Sequence, residues 1–380
     1  MKVLCVAETL GRGGGAEQLI YALAPHFRQM GVEVHYLALF PYADDLGVVM
    51  AQQGHQVFRA DITRPWQLWD GCRRVKQVVN LDDYDLLWGH LYFGNLYANL
   101  LNLFSSTRKT MITLHSEGYA QLPRLGLKDQ VITRLERHLC GRAQFKCAVS
   151  KAVKQDYEAF FGWSGLDVVH NGVDVRAIET CVQDVDRAAT RRHLNVGDED
   201  FFVVVPARFV KKKGHTYLIR AVRRLQDKGY SVKAYFASAQ GPEREALLAE
   251  IEQLGLASRI WLSEATVPHE QLLAQIKSAD AVVIPSLREP FGIAAAEAMA
   301  CAAPTVLTKV DGFCELVGDS GGASMVAPAD VDGLADAIEE LIRDPSARMA
   351  LGRSGQERIR QKFDIRSCAE AWANEFRRAA

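Results

Sequence analysis

The stretch ADAVVIPSLREPFGIAAAEAMACAAPTVLT, residues 279–308, decides the fold. It opens with a short run of β-branched and aliphatic residues, continues into an alanine-rich helical pattern, and closes on a second β-branched run. A strand, a helix and a strand in this order are typical of a parallel sheet with helices packed on its faces. We therefore predict an α/β fold around this stretch.

The same alternation runs through the chain on both sides. Upstream candidate strands are KVLCVA (2–7), EVHYLALF (33–40), DLLWGH (85–90), KTMITLH (109–115), FKCAVS (145–150) and LDVVHNGVD (166–174). In the second half of the chain, the further candidate strands are FFVVVPARF (201–209), SVKAYFAS (231–238), RIWLSE (259–264) and GASMVAP (322–328). No short-period repeat appears, which excludes a solenoid.

A charged stretch that is poor in aromatic residues, residues 179–200, interrupts this rhythm. We interpret it as a linker with a peripheral helix, because 380 residues are too many for one ordinary core. The predicted domains are residues 1–175 and 176–363, each a doubly wound parallel sheet. Ligands of such sheets bind beyond the carboxyl ends of the strands, so we expect a cleft between two facing domains.

Composition excludes several classes of function. The chain has 45 Lys and Arg against 46 Asp and Glu, so a nucleic-acid binder, which needs an excess of cations, is not expected. No apolar run has the roughly 18–20 residues of a membrane span, and we expect a cytoplasmic protein. The eight cysteines form no C-x-x-C pair, which favours reduced thiols over a zinc site or disulfides.

One segment departs from this charge balance. Between Gln121 and Gln155, eight basic residues stand against two acidic ones, with apolar residues among them. Two interpretations are open: a core-facing helix with a solvated basic side, or a surface that meets an anionic membrane or a phosphorylated lipid acceptor. Residues 124–146 are the candidate for such peripheral contact with the inner face of the membrane.

The sequence GRGGGAE, residues 11–17, follows the first candidate strand. Gly13, Gly14 and Gly15 leave backbone N–H groups unshielded at a helix start, where the helix dipole favours an anion. The interpretations are a plain turn, the G-x-G-x-x-A fingerprint of an NAD-dependent dehydrogenase, and a contact to a diphosphate or an acceptor. The dehydrogenase is disfavoured because no acidic residue ends the second strand, where Asp44 is the first candidate.

The sequence PARFVKKKG, residues 206–214, places Arg208 and Lys213 shortly after the strand FFVVV. A guanidinium fork and an ammonium point charge complement separate phosphate oxygens, so this pair suits a diphosphate. A solvated basic turn is the alternative for the three lysines. Arg208 is the stronger candidate because it lies close to the end of the strand.

The sequence EPFGIAAAE, residues 289–297, raises the question of why two glutamates lie eight residues apart. If the helix begins at Pro290, the N–H groups of Phe291, Gly292 and Ile293 form an anion cradle. Glu289 and Glu297 then flank the cradled phosphates and suit hydroxyl groups, Glu297 those of a ribose and Glu289 those of a transferred sugar. A capping acid plus an unrelated helical Glu is the alternative.

The chain resembles a retaining glycosyltransferase of family 4 with the glycosyltransferase B fold and its E-x7-E pattern. Four segments carry this resemblance: GRGGGAE, VVHNGVD, ARFVKKKG and VVIPSLREPFGIAAAEAMACAAPTV. The resemblance implies that Arg208 and Lys213 bind the donor diphosphate, with Gly13–Gly15 facing it from the other domain. It implies that His115 lies beside the transferred sugar. It also implies that residues 364–380 form a terminal helix that crosses back onto the first domain.

The resemblance implies transfer of a hexose from a nucleoside-diphosphate-sugar to a hydroxyl group of a glycan, a lipid or a lipid-linked saccharide, as in polysaccharide biosynthesis of the cell envelope. A UDP-sugar is the expected donor, and no cofactor or metal is expected because the cations neutralise the leaving group. Ala207, Ser263 and the sequence ASAQGP (237–242) depart from the family pattern, so donor identity stays open. The alternatives are a nucleotide-sugar epimerase of similar fold, the dehydrogenase, and a catalytically silent sugar-binding protein.

Overall fold

The computed structural model describes residues 1–11, 14–41, 45–103, 108–116, 127–238 and 241–379. The chain divides into two units. The N-terminal unit comprises Met1–Gly172 with Ile365–Ala380, and the C-terminal unit comprises Val173–Asp364. At the boundary, the Val173 amide donates to the carbonyl of Phe363, 2.9 Å away, and this hydrogen bond joins the two ends of the C-terminal unit. The sequence had indicated residues 176–363 for this domain.

The N-terminal unit contains one sheet, in the order β3-β2-β1-β4-β5-β6-β7, with every neighbouring pair parallel. Its strands are β1 (Lys2–Ala7), β2 (Glu33–Ala38), β3 (Val57–Arg59), β4 (Leu86–His90), β5 (Lys109–Leu114), β6 (Phe145–Ala148) and β7 (Asp167–Val168). The strand β3 was not predicted, since its three residues are too few to show an alternation. The chain order reverses between β1 and β4.

The C-terminal unit contains a second parallel sheet, in the order β10-β9-β8-β11-β12-β13. Its strands are β8 (Phe201–Val205), β9 (Val232–Phe236), β10 (Ile260–Leu262), β11 (Ala281–Ile284), β12 (Thr305–Thr308) and β13 (Ser324–Val326). Here the order reverses between β8 and β11. Both sheets confirm the predicted doubly wound α/β class.

Helices connect the strands in both units. They are α1 (Gly15–Gln29), α2 (Asp45–Gln52), α3 (Leu68–Val78), α4 (Leu91–Leu101), α5 (Leu127–Leu139), α6 (Lys151–Phe161), α7 (Val175–Val182), α8 (Arg187–His193), α9 (His215–Asp227), α10 (Arg244–Gln253), α11 (His269–Ser278), α12 (Ile293–Ala300), α13 (Asp311–Val317), α14 (Val331–Arg343), α15 (Pro345–Lys362) and α16 (Ile365–Ala379). None of these helices is both long and apolar enough to cross a membrane.

The last helix, α16, belongs to the N-terminal unit. Its buried Trp372 and Phe376 lie against Trp88 of β4, with ring centroids 4.9 Å apart in both pairs. Phe376 also contacts Phe27 of α1. The end of the chain therefore covers one face of the first sheet.

The charged stretch 179–200, predicted to be a linker with a peripheral helix, does contain a helix but lies inside the C-terminal unit. It holds the end of α7 and all of α8, and Asp186 caps α8 by accepting from the Ala189 amide. Arg191 is buried and donates to Asp280, 2.9 Å away, next to β11. The interpretation as a linker was wrong because the high charge of this segment serves helix caps and a buried ion pair.

Candidate functional site

The reversal point of the second sheet collects several of the predicted residues. Ligands of open parallel sheets bind beyond the carboxyl ends of the two strands where the chain order reverses. In the C-terminal unit these strands are β8 and β11. Arg208 lies three residues beyond β8, and Glu289 lies five residues beyond β11. Lys213 ends a 3₁₀ turn, Lys211–Lys213, between β8 and α9.

Lys213 and Glu289 form a direct ion pair between Nζ and Oε2. The two side chains are only 15% and 10% exposed, so water screens their attraction weakly. The fully buried Ser286 donates from Oγ to the same carboxylate oxygen, 3.3 Å away. The structure thus brings together the residues that the sequence analysis assigned to a diphosphate and to a sugar.

The loops that carry this ion pair are packed closely on one another. The amide of Leu287 donates to the carbonyl of Lys212, 2.7 Å away. Gly214 has a φ of +67°, and a Cβ at this position would overlap the carbonyl oxygen of Pro285. Only glycine meets both conditions, and its close approach fixes Lys213 opposite Glu289.

Arg208 differs from Lys213 in its surroundings. Its side chain is exposed, and no other described residue forms a hydrogen bond or an ion pair with its guanidinium. A tight turn, in which the Val210 amide donates to the Arg208 carbonyl, 2.8 Å away, leads the chain back toward buried Phe209. Within the described part of the chain, Arg208 therefore has no carboxylate partner comparable to the one that Lys213 has.

The prediction that a helix begins at Pro290 was wrong. The helix α12 begins at Ile293, and its first bond runs from the Ala296 amide to the carbonyl of Gly292. Gly292 has a φ of +100°, which stops the helix from extending toward Pro290. Phe291 is buried and its ring contacts Phe363.

The start of α12 has no side-chain cap. The first-turn N–H groups of a helix lack intrahelical partners, and here they begin at Gly292. Of the three predicted cradle residues, Gly292 and Ile293 therefore belong to this group, while the amide of Phe291 precedes the helix. The positive end of the helix dipole lies just after Glu289 in the chain.

Glu297, the fifth residue of α12, has a partner that the sequence did not indicate. His269 Nε2 lies 2.9 Å from Glu297 Oε1, and the side chains are 34% and 13% exposed. His269 is the first residue of α11, 28 positions earlier in the chain. Only the fold brings these two residues together, so no local pattern could have identified His269.

In the N-terminal unit, the predicted glycines lie at the start of α1. Gly14 is the residue before the helix and Gly15 its first residue, while Gly13 lies outside the described residues. The Glu17 carboxylate folds back over this start, so that a Cβ on Gly14 would overlap it, and Glu17 accepts from Thr9 Oγ1, 3.2 Å away. A carboxylate therefore already stands where the glycine pattern suggested an anion.

His115 follows β5 and meets a histidine that ends β4. His115 Nε2 lies 2.8 Å from Nδ1 of His90. Burial lowers the pKa of His115 to about 4 and holds the pKa of His90 well below its ordinary value, so both rings are neutral at pH 7. The two histidines stand at neighbouring strand ends in the first sheet.

The basic segment 124–146 is described only in part, since residues 124–126 lie outside the described residues. The helix α5 buries Thr133 and Glu136 and exposes Arg134, Arg137 and Val131, the last by 64%. Its charged side thus faces away from the core, which agrees with both interpretations of this segment.

Known proteins resemble the chain over its whole length. Residues 13–177 match the family described as Glycosyltransferase Family 4, and residues 186–358 match Glycosyl transferases group 1. An uncharacterized glycosyltransferase of Methanocaldococcus jannaschii is 28% identical over 304 residues, 79% of this chain and 77% of that protein. A GDP-mannose-dependent alpha-(1-6)-phosphatidylinositol monomannoside mannosyltransferase of Mycolicibacterium smegmatis is 25% identical over 360 residues, 91% of this chain and 90% of that protein.

Solved structures share the fold. The Anabaena protein HepE, in complex with UDP and glucose, has a TM-score of 0.83 and 21% identity, covering 99% of both chains. Sucrose-phosphate synthase from Thermosynechococcus elongatus has a TM-score of 0.81 and 19% identity, covering 100% of this chain and 99% of that one. At these identities the likeness concerns the fold alone.

Proposed function

The chain is a glycosyltransferase that belongs to Glycosyltransferase Family 4 and to Glycosyl transferases group 1, and from this premise we propose that it transfers a hexose from a nucleoside-diphosphate-sugar to a hydroxyl acceptor with retention of anomeric configuration. Its fold is the glycosyltransferase B fold that the sequence predicted. The donor site lies at the reversal point between β8 and β11.

The ion pair between Lys213 and Glu289 is the observation that carries this proposal. The difficult step in hexose transfer is the departure of a diphosphate while positive charge grows on the sugar. Lys213, the exposed guanidinium of Arg208 and the uncapped start of α12 supply positive charge for the leaving group. Glu289, beside them, supplies the negative charge that suits the sugar.

The remaining residues have subsidiary roles in the proposal. Glu297, oriented by His269, accepts hydrogen bonds from the ribose hydroxyls. His115 lies beside the transferred sugar, and Gly14 and Gly15 approach the diphosphate. Because the cations neutralise the leaving group, no metal ion or other cofactor takes part.

A UDP-hexose is the proposed donor, supported by the UDP and glucose in the HepE complex. The GDP-mannose dependence of the mycobacterial relative makes GDP-hexoses the competitors. That relative acts on a phosphatidylinositol mannoside, which supports a glycan or lipid-linked acceptor of the cell envelope. The exposed Arg134 and Arg137 of α5 would then meet the cytoplasmic face of the membrane.

Product analysis tests the proposal. The protein is incubated with UDP-glucose, UDP-galactose, GDP-glucose or GDP-mannose, with and without EDTA, and with cell-envelope glycolipids in anionic liposomes as acceptors. Mass spectrometry is expected to detect one added hexose, and proton NMR an anomeric configuration equal to that of the donor. The Glu289→Gln variant serves as the inactive control, and the double variant Arg134→Glu, Arg137→Glu is expected to bind the liposomes more weakly.

Several results would count against this assignment. A sugar-nucleotide isomerised without any acceptor product would identify an epimerase. A product with inverted anomeric configuration would refute the proposed retention. Activity that EDTA abolishes would refute the metal-free mechanism. Liposome binding that is unchanged in the double variant would exclude membrane contact through α5.

A further inference from the structure

The pair of histidines in the N-terminal unit has a defined proton arrangement. His90 is fully buried, while His115 is partly exposed, and the hydrogen bond joins His90 Nδ1 to His115 Nε2 at 2.8 Å. Because both rings are neutral at pH 7, each carries one N–H group, and one such proton lies in the bond between them. Which ring donates decides what the other nitrogen of His115 offers to a ligand.

The backbone holds both rings in place. Leu91, directly after His90, has a φ of +61°, a strained conformation for a non-glycine residue that persists only where its surroundings enforce it. The Glu8 carboxylate accepts from the Phe93 amide, 2.9 Å away, in the first turn of α4. This contact anchors the chain where it leaves β4.

The neighbouring strand end is equally constrained. Buried Asn95 of α4 donates from its amide nitrogen to the carbonyl of Thr113, 2.9 Å away, and its amide oxygen accepts from the Thr113 amide, 3.2 Å away. Trp88 Nε1 donates to Thr113 Oγ1, 2.9 Å away. Thr113 lies two residues before His115, so the distance between the two imidazoles is fixed by β4, α4 and β5 together.

The buried nitrogen of His90 indicates the donor. His90 Nε2 is inaccessible to solvent and has no hydrogen-bond partner among the residues that the structure describes. Buried N–H groups without an acceptor are rarer in proteins than buried acceptors without a donor, so the bare form of this nitrogen is favoured. The proton of His90 then resides on Nδ1 and points to His115.

We propose that His90 is a positioning residue that donates from Nδ1 to His115 Nε2, so that His115 keeps its proton on Nδ1 and presents it as a hydrogen-bond donor to a substrate oxygen. No described residue bonds Nδ1 of His115, which leaves that group available. The inference rests on the proposed hexosyl transfer for the identity of the oxygen, a sugar or acceptor hydroxyl. In this arrangement His115 is not a general base, since its only lone pair is already engaged.

The tautomer can be measured in the free protein. Histidine labelled with ¹⁵N in the ring is incorporated, and long-range ¹H–¹⁵N correlations are recorded at pH 7.5 without donor or acceptor. The signals of His115 are assigned by their loss in His115→Gln. We expect a protonated nitrogen at Nδ1 and a bare nitrogen at Nε2. A protonated Nε2 in the wild-type protein would overturn the proposal.

Two variants at His90 give matched tests. In His90→Asn the amide nitrogen lies near the former Nδ1 and can still donate, so we expect the same His115 tautomer and turnover within about threefold. In His90→Leu the donor is lost, so Nε2 is expected to become protonated and turnover to fall about 10- to 100-fold, as for other positioning partners. An unchanged His115 tautomer in His90→Leu would contradict the proposal.

The experiment separates this inference from the proposed function. Melting temperatures of all variants show which of them fold, and the wild-type spectrum alone decides the tautomer if His90→Leu does not fold. The tautomer is read without any substrate. A protein with the expected tautomer but no hexosyl transfer would therefore refute the proposed function and leave the assignment of His90 intact.

Discussion

The two sheets reverse their strand order in the same way, but the residues beyond the reversal differ in charge. In the C-terminal unit an ion pair, Lys213 with Glu289, lies beside the exposed Arg208. In the N-terminal unit two neutral imidazoles, His90 and His115, share one hydrogen bond. One topology thus supplies a charged site in one unit and an uncharged, directional site in the other.

The backbone at the two sites differs as well. The charged site uses glycine for its left-handed positions, Gly214 and Gly292, where the chain must pass close to other atoms. The uncharged site uses Leu91 at φ +61° and fixes it with surrounding hydrogen bonds. Topology therefore determines where a ligand binds, while the residues after each strand determine whether the site offers charge or a hydrogen bond.

Removing the charge of Lys213 is the largest expected perturbation. We expect Lys213→Met to lower kcat by about 10²–10³, the usual cost of losing one group that stabilises developing negative charge. Lys211→Met is the matched control, since Lys211 lies in the same 3₁₀ turn and is exposed. Single-turnover rates with the preferred donor measure both variants.

A double variant separates two roles of Lys213. If Lys213 served only to neutralise Glu289, the combination of Lys213→Met with Glu289→Gln would restore the affinity for UDP, which carries no sugar for Glu289 to bind. We expect no restoration of this affinity in isothermal titration calorimetry, because the diphosphate still lacks its cation. Recovery to within tenfold of the wild-type affinity would show that Lys213 has a structural role at the charged site.

The sequence predicted the fold well because both sheets are parallel and buried on two faces. Their strands are runs of apolar residues such as FFVVV and AVVI, which are easily recognised. The strand β3 was missed because three residues are too few for a pattern. The polar residues of α8 indicated only a peripheral helix. Local composition alone did not show that Arg191 is buried against Asp280.

The site was predictable only in part, for a related reason. Arg208, Lys213, Glu289 and Glu297 follow strands or occupy a short motif, so their neighbourhood can be read from the order of residues. The partners of Glu297 and His115 cannot, since His269 and His90 lie 28 and 25 positions away. Such pairs depend on the register of neighbouring elements, which the sequence does not display.

The next prediction concerns the neutrality of His115. Since burial lowers its pKa to about 4, below the ordinary value of 6.5, the native ring stays neutral as the pH falls from 8 to 5.5. The unfolded chain binds this proton first, so native stability decreases as the pH falls from 6.5 toward 4, by up to about 3 kcal/mol for this residue.

An NMR titration of the His115 ring checks the neutrality, and urea unfolding at pH 7.5 and pH 5 checks the stability. We expect constant ring shifts above pH 5.5 and a smaller acid-induced loss of stability in His115→Gln than in the wild-type protein. A ring titration centred between pH 6 and 7 would show that His115 becomes charged near neutral pH. The two units would then not differ in the way proposed, with a charged site in one and an uncharged site in the other.

The smallest expected effect concerns Glu17, the carboxylate over the start of α1. A diphosphate bound at Gly14 and Gly15 would meet this like charge, so we expect Glu17→Gln to bind UDP about two- to fivefold more tightly, equivalent to 0.3–1 kcal/mol for a charge at a helix terminus. Isothermal titration calorimetry measures the affinity. Glu33→Gln is the control because Glu33 begins β2, at the amino end of the strand next to β1, whereas α1 follows the carboxyl end of β1. Equal affinities for both variants would mean that the α1 start does not contact the diphosphate, and all recognition of its charge would then fall to the C-terminal unit.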